Sequence, residues 1–173
     1  MPRFTPIALA LAVFSLAVTS APAQTPPAGA RAFAERIVAR LNDQGPGWGV
    51  PDTAAWYDPA WLRLVRDNGD LANARGADAL WDADPLCQCQ DEGGRYRLVS
   101  VGPTQAGRMD ARIRITSDSY TDTYSVILAP MAGGWRIYDI VAAGHSTRAF
   151  LTRHVNCLRA ARTRRAIELC SVE

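Results

Sequence analysis

Hydrophobic positions follow two different periods along this chain, and the change between them divides it. From about residue 30 to residue 81 apolar side chains recur at helical spacing; from residue 95 to residue 141 they alternate. Phe33, Ile37, Val38 and Leu41 line one face of a predicted helix over Ala30–Asn42, with Glu35, Arg36 and Arg40 on the other. The Gly- and Pro-rich segment QGPGWGVP, residues 44–51, reads as a loop. Thr53 can cap the next helical stretch, and Asp58-Pro59 is a fresh helix start, with Asp58 as N-cap and the proline in the first turn. Trp61, Leu62, Leu64 and Val65 form its apolar face, and Gly69 is the expected stop. A further short helix is expected over Asn73–Trp81, with Ala77, Leu80 and Trp81 inward, before Asp84-Pro85 breaks the pattern.

After Gly93-Gly94 the period becomes two. RYRLVSV (95–101) is the first predicted strand. MDARIRIT (109–116) puts Ala111, Ile113 and Ile115 on one face and Arg112 and Arg114 on the other. Residues 124–129 and WRIYDIV (135–141) follow, the last after a Gly133-Gly134 turn. Short turns imply antiparallel neighbours. Ser146 caps a last helix, from Thr147 to about Arg159, with Phe150, Leu151, Val155 and Leu158 inward. Helices followed by a meander predict an α+β domain: N-terminal helices packed on a curved antiparallel sheet of about four strands, closed by a C-terminal helix.

The first 23 residues belong to another pattern. Arg3, an apolar run from Ile7 to Val18 and the Ala21-Pro22-Ala23 site form the three parts of a secretory signal peptide. The run is shorter than the roughly 20 residues needed to span a bilayer. Cleavage after Ala23 would leave 150 residues starting at Gln24, enough for one domain with its own core. Residues 24–29 are expected to be a disordered leader and residues 30–173 the domain. The expected location is the periplasm or the medium.

Composition adds little to function. There is no lysine; after the predicted cut eighteen arginines meet seventeen acids. That balance gives no reason to expect nucleic acid as a partner. The charge is uneven, however: from Ser146 onward six arginines meet two glutamates. This C-terminal segment is a candidate for contact with anionic lipid or an acidic protein, and a solvated helix face explains it equally well.

The helix-first order, Asp84-Pro85 ahead of the sheet, the Gly-Gly-Trp-Arg-Ile-Tyr-Asp-Ile strand (133–140) and the capped helix after it resemble a bacterial family of exported domains of unknown function, number 3828. The resemblance covers about Ala30 to Val155. It implies a cone-shaped fold like nuclear transport factor two and the cystatins, an envelope location, and no activity. The chain departs from the family in having no lipobox and in carrying a Cys-x-Cys pair.

Candidate chemistry begins with the cysteines. An even count in an exported chain favours disulfides among Cys87, Cys89, Cys157 and Cys170. The expected arrangement is two bridges, each joining one of Cys87 and Cys89 to one of Cys157 and Cys170, stapling the last helix to residues 80–91. Metal binding with His154 is the rival, but the spacing matches no zinc module; no metal and no cofactor is expected, since there is also no phosphate-binding glycine motif and no His-Glu-x-x-His. Asp82, Asp84 and Asp91 lie close in sequence and can work as a carboxylate group, although turn and cap chemistry explains them too. Asp139 is expected to share an otherwise apolar face with Trp135, Ile137 and Val141. There it is either a general base in a cone pocket beside Tyr57, or a carboxylate paired with Arg112 or Arg114 or bonded to a helix end. His145 and His154 read as surface or cap residues. Trp48, Trp135 and Tyr57 are candidates for partner or ligand contact. Three functions follow: a non-catalytic binding or accessory domain acting through an envelope protein, which leads because no catalytic constellation is complete; a small cone-fold enzyme using Asp139; and a self-associating domain, as a homodimer through the open sheet face.

Overall fold

The computed structural model describes residues 28–44, 55–80, 86–87 and 94–170. Helix α1 (Ala28–Gln44) is followed by α2 (Pro59–Arg75), then β1 (Arg95–Pro103), a 3-10 turn, β2 (Met109–Thr116), β3 (Thr121–Met131), β4 (Gly134–Ala142), the two-residue β5 (His145–Ser146), α3 (Thr147–Ala160) and α4 (Arg164–Leu169). The strands form one antiparallel sheet in sequence order, β1 to β5. The class is α+β, and helices on one face of an open meander fit the expected cone. The sheet has five strands rather than about four, because His145-Ser146 pairs with Ala142 and Val141.

One face of the sheet makes the core. Tyr96, Val101, Met109, Ala111, Ile113, Ile115, Tyr124, Val126, Leu128, Ile137 and Ile140 are all buried and fall on it by register. Helix α1 covers it with Ala30, Phe33, Ala34, Ile37 and Leu41, one stripe at helical spacing. The helix begins at Ala28, so Ala28-Gly29 belong to it rather than to the leader.

Helix α2 starts where Asp58 accepts from the Ala60 amide at 2.9 Å, with Pro59 in the first turn. It does not stop at Gly69. The buried residues Trp61, Asn68 and Ala72 outweigh the roughly 1 kcal/mol that a glycine costs inside a helix. The stop is Gly76, whose positive φ of 61° lets its amide reach back to the Ala72 and Asn73 carbonyls. No separate helix forms over Asn73–Leu80: α2 runs to Arg75, residues 77–80 are irregular, and Asn68 takes both backbone groups of Leu80, at 2.9 and 3.4 Å. Trp81 lies outside the described residues.

The β1 edge and the part of β4 that β5 leaves free are met by something other than a strand. On β1, the Asn42 side-chain amide donates to the Tyr96 carbonyl at 3.0 Å and accepts from the Tyr96 amide at 2.9 Å. On β4, Ile137 bonds the Trp56 carbonyl at 2.7 Å and the Asp58 amide at 2.9 Å, which lays Tyr57 parallel to the strand. Two register shifts, at Val99 and at Tyr138, add the local twist by which such sheets curl.

Helix α3 is capped by Ser146, which accepts from the Ala149 amide at 3.0 Å. It packs on α2 and β4. Leu151 enters the main core, whereas Leu158 joins a second cluster with Ala72, Ala161 and Cys170. The C-terminal segment therefore docks on the end of α2. Arg75 donates to the Ala161 carbonyl at 2.6 Å and Arg164 to the Gly76 carbonyl at 2.8 Å, while Arg159 pairs with Asp67.

Candidate functional site

Asp139 was the best sequence candidate for chemistry, and the register of β4 decides its fate. Leu128 faces Ile137, and the adjacent Ile127 faces Asp139, so Tyr138 is an extra, unpaired residue. Successive residues of β3 point to opposite faces. Asp139 therefore lies on the outer face with Val141, not on the core face with Ile137. The expected shared face is wrong, because a single bulge reverses the alternation downstream of it.

On that outer face Asp139 is 7% exposed and fully engaged. Its Oδ1 accepts from the Ile140 amide and the Arg148 amide, both at 2.8 Å, and its Oδ2 accepts from the Ser146 hydroxyl at 2.5 Å. Ser146 and Arg148 form the start of α3, so the carboxylate sits at a helix N-terminus, where unpaired amides and the helix dipole favour negative charge. Of the readings open at the outset, the helix-end bond is the one observed; Arg112 and Arg114 are not its partners.

A second carboxylate joins the same joint. The Arg148 guanidinium pairs with Asp58, donates to the Tyr138 carbonyl at 2.7 Å and lies 3.9 Å from the Tyr138 ring centroid. Arg108 lies 3.7 Å from the same centroid. Asp58 caps α2 and is 5% exposed. One arginine thus ties the starts of α2 and α3 to the bulge in β4. Sequence reasoning found Asp58 as a cap but missed Arg148, because a partner ninety residues away leaves no local pattern.

Tyr57 is 6% exposed and stacks on Trp61, with ring centroids 4.6 Å apart. It belongs to the core that Asp139 faces away from, so the two do not form a pocket together. Trp135 is half-buried, its indole close beside Gly29 of α1: a Cβ there would lie 3.1 Å from Nε1. Trp48, Asp82, Asp84 and Asp91 lie outside the described residues.

The cysteine pairing differs from expectation. Cys157 and Cys170 are bonded to each other, with Cα atoms 5.6 Å apart. Cys87 is also in a disulfide, so its partner is neither of these two; Cys89 lies outside the described residues. The reason is placement. The Tyr124 hydroxyl bonds the Leu86 carbonyl at 2.5 Å and the Tyr96 hydroxyl bonds the Cys87 carbonyl at 3.0 Å, which anchors residues 86–87 to the core face of the sheet. Cys157 and Cys170 sit instead in the second cluster, against the end of α2.

His154 is not a surface residue. It is 2% exposed and its Nδ1 lies 3.1 Å from the Cys170 carbonyl, which makes that nitrogen the donor. His145 is exposed. The basic C-terminal segment is likewise less free than its charge implied: Arg148, Arg159 and Arg164 are all ion-paired within the protein.

What remains open is the outer face of the sheet. Arg97 lies directly opposite Arg114; Arg112 lies between Ser100 and Ser125; Arg95 lies opposite Thr116. All four arginines are exposed, and none makes an ion pair among the described residues. Sequence alternation identified Arg112 and Arg114 as outward; the same signal was present in Arg95 and Arg97. Among the described residues no group of histidine, cysteine and carboxylate side chains could hold a metal, and no helix is long and apolar enough to cross a membrane. Comparison with protein-family models gives no match for the chain, and comparison with curated proteins gives none either.

Proposed function

We propose that this chain is exported by its N-terminal signal peptide and acts outside the cytoplasm as a non-catalytic binding or accessory domain, through a protein partner of the cell envelope. Membership of the exported family of unknown function number 3828 is part of the proposal, supported by the helix-first order and by the capped helix after the Gly-Gly-Trp strand. The Cys157–Cys170 disulfide fits an oxidising compartment.

The observation that carries the reading is a contrast in use. Asp139, the carboxylate on which an enzyme reading depended, has three donors bound to it and faces away from the core side of the sheet. The outer face of β1 and β2 presents four exposed guanidiniums that make no ion pair among the described residues. Self-association through that face is disfavoured by the same arginines, since a two-fold contact would bring like charges together.

The test is photo-crosslinking from Ser125, on the outer face, against Asn156, on the exposed side of α3. The crosslinked protein is identified by mass spectrometry and its binding repeated with both purified components. Crosslinking to one envelope protein from Ser125 alone, with a measurable Kd, is the expected result. Loss of a turnover or a small ligand in Asp139→Asn at unchanged Tm would overturn the reading in favour of an enzyme.

A further inference from the structure

We propose that the outer face of β1 and β2 recognises an acidic polypeptide segment in extended conformation, with carboxylates at alternate positions, through Arg95, Arg97, Arg112 and Arg114. This inference rests on the binding-domain reading and names the partner's chemistry.

The first argument is spacing. Arg95 and Arg97 are two residues apart on β1, as are Arg112 and Arg114 on β2, so each pair repeats at about 6.8 Å along its strand. An extended peptide carries alternate side chains at that same repeat on one side. A segment laid along the strands can therefore set one carboxylate over each guanidinium. Arginine suits this role because its planar fork can take a carboxylate with two parallel bonds. Ser100, Ser125, Thr116 and Thr123 occupy the neighbouring outward positions and supply hydroxyls at the margins.

The second argument is the absence of internal compensation. Arg97 directly opposite Arg114 is a like-charge cross-strand pair, an arrangement that destabilises a sheet. Asp110 is two residues from Arg112 on the same strand and makes no ion pair with it among the described residues. Elsewhere four arginines, Arg31, Arg148, Arg159 and Arg164, are ion-paired among the described residues. The third argument separates a peptide from a bilayer. The outward neighbours of the cluster are mostly serine and threonine. The exposed large apolar side chains nearby, Val99 at the β1 bulge and Tyr120 in the β2–β3 turn, lie at opposite ends of it and do not form the continuous apolar face that enters a lipid interface.

The experiment measures fluorescence anisotropy of a labelled twelve-residue peptide alternating glutamate with threonine, using the whole mature chain. A second peptide has the same composition with its glutamates in one block. Expected are saturable binding of the alternating peptide, weaker binding of the block, and about a tenfold loss in Arg97→Ser/Arg114→Ser. Arg97→Lys/Arg114→Lys keeps the charge and should lose affinity too, whereas Arg162→Ser/Arg165→Ser, exposed and outside the sheet, should not. Equal binding of both peptides, an unaffected face variant at unchanged Tm, or binding only to vesicles with roughly one-third phosphatidylserine would each overturn the inference. Failure here is distinct from failure of the binding-domain reading: a variant that still holds the crosslinked envelope protein removes this face and leaves that reading standing.

Discussion

The two faces of one sheet have been built under opposite rules. On β2, Ala111, Ile113 and Ile115 are fully buried while Arg112 and Arg114 are exposed, one residue apart. The inward residues bring the folding energy, since burying an isoleucine side chain is worth about 1.5–3 kcal/mol. The outward residues bring little or none, and their charge meets no carboxylate among the described residues. The difference teaches where to look for function here: in the positions whose chemistry the fold does not use.

The largest way to test this contrast is Ile113→Ala beside its outward neighbour. Removing that buried side chain should cost about 2–5 kcal/mol by denaturant unfolding. A loss under 1 kcal/mol would mean the inner face is not the core that its burial implies.

The disulfide acts away from both faces, and breaking it should sharpen the contrast. Cys157 and Cys170 are 13 residues apart, so chain-entropy arguments give about 3 kcal/mol for the closed loop. Cys157→Ser/Cys170→Ser should speed hydrogen exchange in α3 and α4 first and leave β2 and β3 protected. Equal deprotection of the sheet would show the C-terminal cluster to be part of the main core.

Asp139 is the exception on the outer face, because it serves structure. Asp139→Asn should lower stability by about 1–3 kcal/mol, since three donors lose an ionised acceptor at a helix start. Peptide binding at Arg97 and Arg114 should be unchanged. A thermal melt equal to that of the parent would detach Asp139 from the joint described here.

The smallest effects have the opposite sign. Gly69→Ala should stabilise by about 0.5–1 kcal/mol, as nothing lies within 4 Å of the added methyl. Arg97→Ser/Arg114→Ser should shift unfolding by no more than about 0.5 kcal/mol, towards greater stability as the like-charge pair is removed. A marked destabilisation would make these arginines part of the scaffold.

Local pattern carried the fold further than it carried the site. Period two gave β2 to the residue, and Asp58-Pro59 and Ser146 gave two helix starts, because caps and alternation are short-range physics. The failures all involve distance or phase. Gly69 is a weak stop that buried neighbours override. The Tyr138 bulge has no signature in WRIYDIV, yet it turns Asp139 to the other face. The cysteine pairing, the burial of His154 and the Asp58–Arg148 bond depend on which helix lies beside which, and α2 receives the C-terminal pair of helices. The arginine face was legible in its residues but not in its lack of ion pairs among the described residues, which only the packed chain displays.

The Asn42 side chain has a meaning beyond the hydrogen bonds it forms with Tyr96. A sheet edge is a growing end: each strand added presents a fresh row of donors and acceptors to the next. An amide side chain offers one donor and one acceptor, the valence of a strand at that residue, and has nothing further to offer beyond it. Asn42 thus acts as a chain terminator in the polymer sense, occupying the Tyr96 position so that a second molecule cannot pair there and extend the sheet.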